Sequence, residues 1–89
     1  MRTVISVVGK DTVGIIAKVS AVCADKNVNI IDITQSVLKD VFAMVMLTDI
    51  SKMSVSMAEF SGELKKLGEN LGLDIRVMHE DVFNSMHRI

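Results

Sequence analysis

The 89-residue chain carries ten basic and eleven acidic residues, a single cysteine, three phenylalanines, and no proline, tryptophan or tyrosine. A formal charge of −1 without a basic patch argues against nucleic-acid binding, which rests on counterion release, and so few aromatic rings leave little on which bases could stack. One cysteine excludes an internal disulfide, and the longest apolar run, Val41 to Leu47, is far short of the roughly 20 residues a membrane-spanning helix needs.

The length fits one domain, residues 1–89, with no linker, repeat or low-complexity tract to divide it. Met1-Arg2-Thr3 lacks the charged-then-apolar pattern of a signal peptide, so a cytoplasmic protein is expected. The apolar fraction, 49%, is high for a chain with so much surface per volume. Some of that surface is therefore expected to face another subunit.

Val4-Ile5-Ser6-Val7-Val8 is β-branched and aliphatic, as a buried strand requires. The polar loop Gly9-Lys10-Asp11-Thr12-Val13-Gly14-Ile15 follows, and then Ile15, Val19, Val22 and Cys23 recur at helical spacing. Asp11 or Thr12 can cap that helix by accepting from its first N–H groups, and Gly14 leaves the backbone open to a ligand. Bare amides at a helix N-terminus attract a carboxylate or another anion. The same residues also read as an ordinary capped turn with no ligand. Cys23, on the apolar stripe, reads as a small buried hydrophobe.

The helix is expected to stop near Asp25-Lys26-Asn27, where Asn27 tolerates a left-handed conformation. A second strand begins at Val28-Asn29-Ile30-Ile31-Asp32-Ile33. Simple alternation puts Ile31, Ile33 and Val37 on one face, and Asp32, Thr34 and Ser36 with Ile30 and Leu38 on the other. Lys39-Asp40 reads as a tight hairpin turn, and Val41 to Asp49 as a third strand, apolar on both faces. Helices can cover only one side of it, so the other is a candidate interface, with Met44 and Met46 suited to repacking there.

Ser56-Met57-Ala58-Glu59 fits a capping box, flanked by Val55 and Phe60 as a hydrophobic staple. Met57, Phe60, Leu64, Leu67 and Leu71 form one helical stripe, with Gly68 as an irregularity near its end and Gly72 as its cap. Leu73, Ile75 and Val77 mark a last, edge-like strand. The tail from Asp81 to Ile89 fits a short helix with Val82, Phe83, Met86 and Ile89 inward, lying on its own sheet edge or a partner's. The order β-α-β-β-α-β predicts an α+β, ferredoxin-like fold: a four-stranded antiparallel sheet, two helices on one face and a short C-terminal helical tail.

The loop Gly9 to Ala17, together with Asn29-Ile30-Ile31-Asp32-Ile33 opening the second strand, resembles the ACT domain family of small regulatory modules. The likeness is greatest to standalone bacterial and archaeal ACT proteins and to the modules of the glycine-cleavage-system repressor. Val13 stands where the family often has proline. Family members typically bind amino acids where this loop meets the second strand of a neighbouring subunit, and they pair side by side or through their sheets. The resemblance therefore implies a homodimer or higher homo-oligomer and an amino-acid effector. A ligand carboxylate would rest on the amides of Val13, Gly14 and Ile15, with Asp11, Asp32 or Asn29 taking its ammonium, Thr12 in the loop, and Ile15 and Ile30 flanking its side chain. A ligand-free assembly domain is the alternative.

No catalytic constellation is present: there is no nucleophile elbow, phosphate loop or dinucleotide fingerprint, so neither an enzyme nor a cofactor is expected. His79, Glu80, Asp81 and His87 match no usual metal-ligand spacing, so no metal site is expected.

Overall fold

The computed structural model describes residues 1–86. The elements run β1 (Arg2–Lys10), α1 (Ile15–Asp25), β2 (Asn29–Leu38), β3 (Val41–Asp49), α2 (Met57–Leu71), β4 (Leu73–His79) and α3 (Glu80–Met86). The strands form one sheet in the order β2-β3-β1-β4, with every neighbouring pair antiparallel. This is the ferredoxin-like arrangement expected from the element order.

Register assigns the two faces. Ile5 lies between Met46 and Val77, and Val7 between Met44 and Ile75. These residues form the core with Ile15, Val19 and Cys23 of α1 and with Phe60 and Leu64 of α2. Both long helices thus cover one face. Thr3 and Thr48, paired and buried there, satisfy each other through hydroxyls 2.7 Å apart. Met44 and Met46 are 1% and 0% exposed in this core, so neither belongs to an interface. Val41, Ala43 and Val45 face the other way. Period-two alternation separates the two apolar rows of β3 but cannot say which row the helices take.

The open face is partly covered by α3, which is the described part of the expected tail. Its N-terminal end is held by the Arg2–Glu80 ion pair at 2.6 Å. Phe83 is half-buried, whereas Val82 and Met86 are 51% and 61% exposed, so two of the residues expected to be inward are not buried. Ile89 lies outside the described residues. Val4, on the same open face, is 2% exposed, and Phe83 and Met86 wall a hollow of about 350 Å³ over Ser6, Val8, Thr34 and Val45.

Local chemistry explains most boundaries. Ser56 Oγ accepts from the Glu59 N–H at 3.1 Å and starts α2, while Gly72, at φ 72°, ends it in the left-handed region. Lys39 takes φ 59° in the hairpin turn and Asn27 takes φ 60° after α1. Gly9 and Lys10 belong to β1 and not to the loop. A bulge in β2 between Ile30 and Asp32 reverses the alternation. Ile30 therefore pairs with Thr48 on the helix-covered face, alongside Ile33 and Val37, and not with Leu38 as simple alternation requires.

Candidate functional site

The connection between β1 and α1 is four residues long, Asp11 to Gly14. The Asp11 N–H donates to the Asp40 carbonyl at 2.8 Å, which fastens the loop to the β2–β3 hairpin. Gly14 is the N-cap of α1, at φ 87°, and no side chain caps the helix. Asp11 and Thr12 are exposed and do not fill the capping role expected of them. The left-handed glycine turns the chain into the helix directly, which leaves the first amides of α1 uncapped by any side chain. A Cβ built on Gly14 would meet nothing nearer than Lys18 Cε at 3.8 Å, so the surface above it is open.

Val13 is 93% exposed beside this opening. Ile15 is 2% exposed in the core, so it offers the site a backbone amide and no side-chain wall. Asn29, Ile30 and Asp32 stand elsewhere. Asn29 pairs with Asp49, which pairs with Arg2 at the start of β1, whereas the loop follows Lys10 at the strand's other end. A strand of this length separates the two groups by roughly 25 Å. Asn29 and Asp32 are exposed, Ile30 is half-buried against the core, and Asp32 Oδ1 accepts the Ile33 N–H at 2.9 Å. One chain therefore holds the two groups of expected site residues at opposite ends of its sheet.

Asn29 also lines a polar hollow of about 340 Å³ with Asn27, Asp49, Ser51 and Lys52. Sequence reasoning passed over the last three. They look like ordinary polar turn residues, and only folding brings the turn after β3 against the end of α1. That contact is specific: Asn27 Nδ2 donates to the Lys52 carbonyl at 2.8 Å.

Nucleophilic and metal chemistry find no support among the described residues. The Cys23 thiol is buried, and desolvation, opposed by a weaker backbone hydrogen bond, pushes it up to about 11. No group of three or more His, Cys, Asp or Glu is placed to hold a metal among the described residues, and His87 lies outside them. His79 Nδ1 accepts the Asp81 N–H at 3.1 Å. No helix of the described residues is long and apolar enough to cross a membrane.

A sequence model of the ACT domain matches residues 2–78. The chain belongs to the ACT domain family. A UPF0237 protein of Methanopyrus kandleri is 52% identical to this ACT domain over 88 residues, covering 99% of this chain and 98% of that one. Among solved structures, an ACT domain protein from Streptococcus pneumoniae superposes with a TM-score of 0.79 at 34% identity, covering 93% of each chain. A protein described as a glycine cleavage system transcriptional repressor superposes with a TM-score of 0.75 at 26% identity. The likeness covers 85% of this ACT domain but 43% of that chain. The family, the fold and the likeness to standalone members and to the repressor all agree with the sequence reading.

Proposed function

We propose that this ACT domain is a non-catalytic regulatory module that binds an amino acid or a similar small ligand between two copies of itself joined along β2. The observation that carries this reading is the condition of the β2 edge. Nine of its ten residues are exposed, among them Ile31, Ile33, Val37 and Leu38. An edge strand left bare is normally blunted by lysine, proline or a covering segment, and β2 has neither residue within it. Its bulge lies near one end, which leaves the run from Asp32 to Leu38 regular.

Two-fold symmetry requires the two β2 strands to run antiparallel. The end of β2 in one copy, beside the hairpin to which Asp11 is tied, then meets the start of β2 in the other. Each Asp11–Gly14 loop faces the partner's Asn29 and Ile30, and the half-sites separated within a chain come together between chains. The uncapped amides of Gly14 and Ile15 suit a carboxylate, and Asp11 and Asp32 suit an ammonium group.

Thermal melting against the common amino acids tests this. A ligand at a hundredfold over its Kd adds about 2.7 kcal/mol, a rise of many degrees in so small a domain. Gly14→Asp, which sets a carboxylate over the anion site, abolishes that rise. Flat melting curves with every amino acid overturn the reading. One observation favours a ligand-free assembly domain instead: Val8 and Val41 are each 47% exposed on the open face beyond α3. Stable association without any amino-acid response would select it.

A further inference from the structure

We infer that the hollow lined by Asn27, Asn29, Asp49, Ser51 and Lys52 recognises both charged groups of a free α-amino acid, Asp49 taking the ammonium and Lys52 the carboxylate. This rests on the amino-acid reading above and extends its second half-site beyond Asn29. The volume, about 340 Å³, lies near the lower end of ligand cavities and suits a small molecule.

The hollow is built and not incidental. Asn27 adopts φ 60°, and its side chain, bonded to the Lys52 carbonyl, ties the turn after β3 to the end of α1. The Ser54 N–H donates to the Lys26 carbonyl at 2.9 Å, a second tie between the same segments. Asp49 Oδ1 accepts from the Ser51 N–H at 2.9 Å and the Ser51 hydroxyl at 2.5 Å, and it lies 3.7 Å from the Met1 amine. The Ser51 hydroxyl chiefly, with the Ser51 N–H next, holds the carboxyl below the usual aspartate range, so it is ionised at neutral pH. Asp49 Oδ2 has no partner among the described residues, and the Lys52 ammonium forms no ion pair among them.

An anion and a cation three residues apart, each with bonding capacity unspent, complement a zwitterion and no singly charged ligand equally well. In the β2-paired dimer the partner's Gly14 loop arrives beside Asn29, at the margin of this hollow. A carboxylate held by Lys52 then lies toward the partner's uncapped amides.

The test is a titration of the full chain by calorimetry with the twenty common amino acids, followed by N-acetyl and amide derivatives of those that bind. Asp49→Asn, which retains an oxygen for Ser51, weakens binding about tenfold or more, as loss of a charged hydrogen bond does. N-acetylation weakens wild-type binding by a similar factor and has no further effect on Asp49→Asn. Lys52→Met behaves in the same way toward the amide derivative. Binding that Gly14→Asp abolishes but that neither Asp49→Asn nor Lys52→Met alters overturns this inference and leaves the amino-acid reading standing. Absence of binding by every amino acid overturns both.

Discussion

At the residue scale Gly72 and Asn27 were legible because their chemistry is local. Left-handed backbone at Asn27 and Gly72 follows from what those residues tolerate, whatever packs around them, whereas Gly14 takes the N-cap position expected of Asp11 or Thr12. Asp49 and Lys52, the pair inferred above to meet a ligand's two charges, were not legible, because a tertiary contact from Asn27 is what sets their turn against the end of α1. Cys23 was read correctly as a buried hydrophobe, and burial gives it a consequence in pH. Its folded thiol titrates at about 11 against an ordinary value of 9.0. Below pH 9 both folded and unfolded chains keep the proton, and the contribution to stability is whole. Between about 9 and 11 the unfolded chain loses its proton while the fold retains it, so stability falls as pH rises. Urea unfolding followed from pH 8 to 10 detects this as a declining midpoint. Cys23→Ala, lower in stability by about 1 kcal/mol, loses that part of the slope, and an unchanged slope refutes the assignment.

At the scale of elements, the boundaries of α2 were readable from Ser56 and Gly72, but the reason for Gly68 was not. A Cβ there would lie 2.7 Å from the Leu73 carbonyl oxygen and 3.1 Å from Ile75 Cγ1. The helix tolerates a glycine because α2 and β4 approach too closely for any side chain. Gly62, on the same helix, has nothing within 4 Å. The same substitution therefore has opposite signs at the two positions. Gly62→Ala stabilises by about 0.5–1 kcal/mol through helix propensity and reduced freedom of the unfolded chain. Gly68→Ala gains that term but loses more to overpacking, roughly 1–3 kcal/mol, and its net effect is destabilising. Thermal midpoints shifted upward in the first and downward in the second check the close approach. The bulge at Ile31 shows the same limit of sequence reading from the other side. One unpaired residue moved Ile30 across the sheet, and no composition signal marks it.

At the scale of the whole molecule, the high apolar fraction pointed to a second copy but could not choose the surface. It suggested the methionine row of β3, which the helices occupy, while the bare apolar positions lie on β2 and on the open face beyond α3. Charge placed on each of these surfaces separates them. Lysine at both Ile33 and Val37 sets four like charges along a two-fold β2 seam and leaves the core of each chain intact, since the two residues are already 37% and 53% exposed. Sedimentation of Ile33→Lys/Val37→Lys at micromolar concentration is expected to show a monomer with unchanged circular dichroism, and amino-acid stabilisation disappears with the dimer because each half-site has lost its complement. Val8→Asp, on the open face, leaves both association and ligand response in place. If Val8→Asp alone dissociates the protein, the copies meet through their sheets. The loop of one chain then never reaches Asn29 of the other, and the β2-paired site is excluded by geometry.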